Sequence, residues 1–276
     1  MTEPRSWLFV PADSERKISK ALDSAADAVI FDLEDSVAPA QKERAREILK
    51  ELPKPSSGPQ WWVRVNPLGS EFHKDDLKLI GSAHVHGIVL PKAESGADVI
   101  ELAHRTGSIP IHAIVTETAA SLFGLLSYRD PKSPLAAMSW GAEDLSAALG
   151  ASSKYDAAGE LSFTYKLARS LCLAGAVAAG VQPVDGVFAD FRDDAGLQRE
   201  AEEARRDGFT GKLAIHPQQV AIINAAFTPS PADVRHAEQI VAAFEAHPDA
   251  GVLAVEGKMV DRPHLIQARR VLERAR

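Results

Sequence analysis

Eight short apolar runs alternate with longer stretches of helical periodicity, and this alternation constrains the fold more than any other feature of the chain. The runs fall at 6–10, 28–33, 61–65, 87–90, 109–116, 136–140, 183–189 and 213–215. Helical pattern or composition fills 15–26, 41–51, 97–106, 161–179 and 194–207 among others. Strand–helix–strand units build a parallel sheet through right-handed crossovers. Eight such units predict an α/β fold closed into a (β/α)8 TIM barrel. An open doubly wound sheet is the alternative, because periodicity does not encode closure. Residues 229–276 are surplus to a barrel of 1–228: a helix at 231–246, an extended arm and a last helix. They predict a C-terminal helical extension packed on its own barrel or a neighbour's. KPSSGPQ at 54–60 reads as a surface loop.

Polar residues gather at the ends of these runs. The first ends in Pro11-Ala12-Asp13, the second in Asp32-Leu33-Glu34-Asp35, the fourth in Pro91-Lys92 and the fifth in Glu117. The sixth ends in Gly141-Ala142-Glu143-Asp144 and the eighth in His216-Pro217, while the third carries Arg64 and Asn66 on one face. In a barrel these ends make one rim, the place where active sites are built. Neighbouring strands lie about 4.8 Å apart, so Glu117 and Asp144 can share a hard cation. Mg2+ takes one or two protein carboxylates and completes its shell with water and substrate oxygens. The competing reading makes both residues acids at helix N-termini. No His or Cys lies near either in sequence, which disfavours zinc. Arg64, inside WWVRVN, needs an anionic partner: a substrate carboxylate, Glu34 or Asp35 on the adjacent strand end, or both. The N–H groups of Gly141, Ala142 and Glu143 at a helix start suit a second anion. Lys92 and His216 show no local partner, and a structural role competes with catalysis for each; a Schiff-base Lys92 lacks any sign of a depressed pKa.

The net charge of −7 argues against a nucleic-acid partner and leaves anionic ligands to local Arg and Lys. Cys172, the one cysteine, sits in LARSLCLAGAVAAG and reads as a buried small hydrophobe rather than a nucleophile. That stretch is too short to span a bilayer. MTEPRSW lacks the pattern of a signal peptide. The expectation is a cytoplasmic protein that neither crosses nor binds a membrane.

These residues carry a family resemblance. LFVPADSERKISKAL, AVIFDLEDSVAPAQKERAR, VRVNPLGS, VLPKAES, VTETA, WGAEDLSAALG, IHPQQV and FEAHPDAGVLAVEGKMVDRPHL, in this order, resemble the HpcH/HpaI aldolase and citrate lyase β-subunit-like superfamily. The resemblance implies a TIM barrel assembling as a homotrimer or hexamer. It implies a Mg2+-dependent lyase (Mn2+ being the alternative metal) that breaks a C–C bond in a 3-hydroxyacyl-CoA thioester such as malyl-, citramalyl- or citryl-CoA, giving an acyl-CoA and a 2-oxo acid. By the same resemblance Glu117 and Asp144 are the metal ligands, and Arg64 contacts the oxo acid and its developing oxyanion. The backbone of Ala142, Glu143 and Asp144 cradles a carboxylate, and Glu34 and Asp35 form a supporting acidic cluster. Asp261 is an acid/base group carried on a C-terminal lid, where its sequence alone reads as an ordinary solvated loop residue. Arg16, Lys17 and Lys20 are candidates for the CoA tail, or simply a solvated helix face. Two rival functions are a class II pyruvate aldolase acting on free hydroxy-oxo acids and a non-autonomous subunit of a citrate-lyase-like complex.

Overall fold

The computed structural model describes residues 3–53 and 57–275. In chain order the elements are β1 (Ser6–Pro11), α1 (Glu15–Leu22), β2 (Ala28–Asp32), α2 (Lys42–Glu51), β3 (Gln60–Arg64), α3 (His73–Ile80), β4 (Gly87–Ala93), α4 (Gly96–Thr106) and β5 (Ile111–Val115). There follow α5 (Ser121–Gly124), β6 (Leu135–Trp140), α6 (Ala142–Ala148), α7 (Phe163–Ala179), β7 (Gln182–Asp185), α8 (Asp194–Asp207), β8 (Gly211–Ala214) and α9 (Pro217–Phe227). The last elements are α10 (Pro231–Ala246), β9 (Val252–Val255), β10 (Lys258–Asp261) and α11 (Arg262–Arg274). Strands β1 to β8 pair in sequence order, all parallel, and β8 closes on β1. The sheet is therefore a barrel, not the open alternative.

The interior is filled by one side chain or two from each strand: Trp7, Ala28, Ile30, Trp62, Val89, Ile114, Ala137, Val184 and Leu213 form one buried cluster. Two indoles meet edge to face with centroids 4.9 Å apart. Gly87 makes room for one of them, since a Cβ there would lie 2.2 Å from the Trp62 ring. Alternation along each strand sends the intervening residues, such as Leu8, Val29 and Ile88, outward beneath the helices.

Two expected strands are shorter than their apolar runs. β5 begins at Ile111 because the residue before it is Pro110, which has no N–H to donate to the ladder. β7 stops at Asp185, where Gly186 packs against the Trp140 indole. Residues 54–56 of the expected surface loop lie outside the described residues, as do Met1 and Thr2 of the N-terminal stretch.

The chain divides into two compact units, 1–224 and 225–276. Within the second, the expected extended arm is a hairpin: β9 pairs antiparallel with β10 across Glu256-Gly257, both at positive φ. Such a two-residue turn matches the twist of its strands. Ala237, Ile240, Phe244, Val255, Val260, Leu265 and Ala268 form that unit's own core.

Candidate active site at the barrel mouth

The rim assembles in two halves. On the first, Asp32 and Arg64 are register partners across β2 and β3. Arg64 donates from Nε to Asp32 Oδ1 (2.7 Å) and from Nη2 to Oδ2 (2.6 Å), and its Nη1 lies 2.7 Å from Glu34 Oε2. The guanidinium stacks over Phe9, 4.8 Å from the ring centre. Burial opposes its charge, but Asp32 and Glu34 outweigh that and hold Arg64 above its ordinary pKa. Asp32 is held below the usual carboxylate range: burial works against the charge, and Arg64 overcomes it. The Glu34 backbone is fixed by Lys42, a buried lysine whose ammonium donates to the carbonyls of Leu33 (2.7 Å) and Glu34 (3.1 Å) and to Asn66 Oδ1 (2.8 Å). One side chain thus ties the ends of β2 and β3 together.

On the second half, the β4 ladder breaks register between Leu90 and Ala93. Lys92 sits in that irregularity with φ +53°, a conformation that costs a non-glycine residue energy and clusters at functional sites. Its N–H donates to Glu117 Oε2 at 2.5 Å. Its ammonium lies 2.5 Å from Glu34 Oε1, 3.2 Å from Asp144 Oδ1 and 3.3 Å from Asp35 Oδ2. Burial opposes the ammonium's charge, yet Glu34 and Asp144 outweigh it and raise the lysine's pKa. Thr116, at φ +65°, turns the chain out of β5 into Glu117. Gly141, the residue after β6, lies so close that a Cβ there would stand 2.7 Å from Glu117 Cγ and 2.8 Å from Oε1. The end of β6 is itself anchored, because Trp140 Nε1 donates to Asp185 Oδ1 at 2.8 Å. Arg169 and Lys212 pair with the same buried carboxylate.

Arg64, Glu34, Asp35, Glu117 and Asp144, all expected from sequence, are therefore brought to one charged cluster with Lys92 at its centre. The partner of Arg64 needs correction: Glu34 does contact it, but Asp35 pairs with Lys92, and the bidentate anchor is Asp32. Ala142 opens α6 beside the cluster. The Glu143 side chain is exposed and pairs with Lys154, so its main chain alone faces the question of anion binding. His216 has a partner after all, stacking on Phe191 with centroids 4.8 Å apart. Arg16, Lys17 and Lys20 are exposed on α1. Cys172 is fully buried, and burial pushes its thiol well above the usual range, as befits packing rather than nucleophilic chemistry. Asp261 belongs to the second unit, where it caps α11: it accepts from the His264 N–H, and His264 Nδ1 lies 2.5 Å from its Oδ1. The His264 ring holds that carboxyl below its ordinary pKa. Sequence reasoning put Asp32 on the rim but missed it as the partner of Arg64, and missed Lys42 and the Trp140–Asp185 tie. An acid in the second apolar run was the one legible sign of the first.

Glu117 reveals what the cluster lacks. Burial, with further push from Asp144 and Glu34, carries its carboxyl up to about 8 against the Lys92 N–H and Arg64. Too little positive charge reaches it. A divalent cation supplies that charge, and the all-oxygen donors Glu117 and Asp144 suit a hard ion such as Mg2+. Among the described residues no group of three or more His, Cys, Asp or Glu forms a metal site of its own. A cation held by Glu117 and Asp144 would complete its shell with water and substrate oxygens, the sparse ligation Mg2+ takes.

Comparison with known proteins follows the same line. The HpcH/HpaI aldolase/citrate lyase family model matches residues 5–217. The chain is 38% identical to a (3S)-malyl-CoA thioesterase of Cereibacter sphaeroides over 98% of its own length and 94% of that protein. It is 35% identical to the mitochondrial citramalyl-CoA lyase of Homo sapiens over 96% of this chain and 83% of that one. The CitE protein of Mycobacterium tuberculosis, solved in complex with magnesium, acetoacetate and coenzyme A, superposes with a TM-score of 0.85. That match has 38% identity and covers 98% of this chain and 97% of that one.

Proposed function

The chain belongs to the HpcH/HpaI aldolase/citrate lyase family, and from that premise we propose that it is a Mg2+-dependent carbon–carbon lyase of 3-hydroxyacyl-CoA thioesters. Its substrates are of the malyl-, citramalyl- or citryl-CoA type, and its products an acyl-CoA and a 2-oxo acid. The observation that carries the reading is the buried, undercompensated Glu117 beside Asp144 on the rim that also holds Arg64.

Glu117 and Asp144 would hold the metal, which supplies Lewis acidity towards the carboxylate and hydroxyl or oxo oxygens of the substrate. Arg64 has five N–H groups; Asp32 takes the one on Nε and one on Nη2, and Nη1 is ion-paired with Glu34, so both terminal nitrogens retain a donor. The 3-hydroxyl gives up its proton to water, and that fixed cation stabilises the oxygen left behind as the C–C bond breaks and the oxo acid forms. The bonding electrons pass into the enolate of the departing acyl-CoA. The N–H groups of the Gly141–Glu143 loop receive the substrate carboxylate. By the family resemblance Asp261, from this chain or a neighbouring copy, would exchange the α-proton: its conjugate acid would protonate the enolate in cleavage, and the carboxylate would remove the proton in condensation. Its pairing with His264 favours the ionised form that the condensing direction starts from.

The test is a panel of malyl-, citramalyl- and citryl-CoA with and without Mg2+, using Glu117→Ala as a folded control. Release of an oxo acid that requires both Mg2+ and Glu117 is expected. A second reading, simple thioester hydrolysis, has the malyl-CoA thioesterase relative in its favour. The same assay separates them: glyoxylate with acetyl-CoA marks the lyase, and malate with free CoA marks the hydrolase. A free 4-hydroxy-2-oxo acid turned over faster than any thioester would favour the pyruvate aldolase. No turnover of any thioester without an added carrier partner would favour a complex subunit. A cytoplasmic homo-oligomer, trimer or hexamer, completes the proposal and is read by light scattering; no helix among the described residues is long and apolar enough to cross a membrane.

A further inference from the structure

Lys92 touches both residues assigned above to the cation, and does so with two different groups. Its N–H holds Glu117 Oε2 at 2.5 Å, and its ammonium lies 3.2 Å from Asp144 Oδ1. The backbone is strained to achieve the first contact, with φ at +53° inside a break in the β4 ladder. Asp144 is only half-buried, in the first turn of α6, and Lys92 is its cationic partner among the described residues.

We propose that Lys92 is the positioning residue that sets the divalent-cation affinity of the rim, orienting Glu117 through its main chain and competing with the cation for Asp144 through its ammonium. The proposal rests on the reading of Glu117 and Asp144 as the metal-binding pair. A cation on Asp144 sits within a few ångströms of the ammonium, and like charges at that distance in a partly buried site repel strongly. The ammonium has somewhere else to go: Glu34 Oε1 at 2.5 Å and Asp35 Oδ2 at 3.3 Å accept it without loss of pairing. Asp35 thereby acquires a role, as the second perch for a charge displaced from Asp144. A lysine placed this way keeps Asp144 aligned and keeps metal binding weak and exchangeable.

A purely structural ion pair predicts the opposite response to its removal, namely a looser pair of carboxylates and weaker metal binding. The experiment is a calorimetric Mg2+ titration, without substrate, of the wild type, Glu117→Ala, Lys92→Met and Lys92→Arg. Glu117→Ala should abolish binding. Lys92→Met, which keeps length and main chain but removes the charge, should bind Mg2+ about tenfold more tightly. Lys92→Arg, which keeps the charge, should stay within about threefold of wild type on the same argument. Equal or weaker binding by a folded Lys92→Met overturns the Lys92 proposal while Glu117→Ala still upholds the metal pair. Undiminished binding by Glu117→Ala removes the metal pair and the proposal with it. Should Lys92→Met not fold, the wild type answers the question. With 13C-methylated lysines, and Lys92 assigned through Lys92→Arg, its resonance must move with the Mg2+ titration, and a resonance that stays still overturns the proposal.

Discussion

Arg64 shows how one residue can be legible in type and hidden in detail. A guanidinium inside an apolar run announces that an anion waits for it. Which anion depends on the register between β2 and β3, and register is a property of the closed sheet, not of either run. Hence Glu34 was foreseen as its partner and Asp32, seen only as a strand-end acid, was not. The pairing has a consequence. Asp32 engages Nε and Nη2 together, a fork that lysine cannot reproduce. Arg64→Lys therefore keeps the charge and loses its direction. We expect kcat to fall about 10²–10³-fold, the usual scale for a displaced oxyanion donor, while Mg2+ affinity stays near wild type. Steady-state kinetics at saturating Mg2+ alongside the metal titration separate the two effects.

At the scale of elements, the site is made by the ways strands end. β4 breaks register, β5 exits through a residue at positive φ, and β6 runs into a glycine with no space beside it. Gly141 has φ −125°, so its glycine is required by contact and not by conformation. Gly141→Ala is sterically a direct push on the buried Glu117 carboxylate. We expect Mg2+ binding at least about tenfold weaker, a loss of some 1.4 kcal/mol on the affinity scale. The far-ultraviolet spectrum should be unchanged, because backbone geometry tolerates alanine there. Lys42 makes the matching argument on the other half. Lys42→Met removes the donor to Asn66 Oδ1, while the Leu33 carbonyl keeps Asn66 Nδ2 and the Glu34 carbonyl keeps the Val37 N–H. One buried acceptor stranded this way costs about 1–3 kcal/mol. Urea unfolding should register a loss of that order, and catalysis should fall with it because Glu34 is no longer held under Arg64. The polar residues at the strand ends were visible in sequence. The lysine that fixes them lies in the next helix, nine residues beyond Leu33, and helical periodicity gives no hint that its ammonium turns inward.

For the whole molecule, eight alternations were enough to foresee a barrel, and the pairing of β8 with β1 completes it. What alternation does not convey is the content of the interior. His112 belongs to an apolar run, yet it is fully buried inside the barrel between Trp7, 4.7 Å away, and Trp62, 6.4 Å away. Its Nε2 shares a hydrogen bond with Ser139 Oγ at 2.9 Å. Burial lowers its pKa from 6.5 to about 3. The folded barrel thus refuses a proton that the unfolded chain accepts below pH 6.5, and a state that binds fewer protons loses ground as pH falls. Stability should decline between pH 6.5 and 3 on this account alone, by about 3 kcal/mol at pH 4. His112→Gln keeps a neutral hydrogen-bonding side chain of similar size that never titrates. Its stability at pH 7 should be lower than wild type through imperfect packing, but the difference should shrink or reverse by pH 4. Paired urea unfolding curves at the two pH values isolate this effect, since carboxylates elsewhere titrate alike in both proteins and cancel. If wild type and His112→Gln lose the same stability between pH 7 and 4, His112 is not the proton-refusing group at the centre of the barrel.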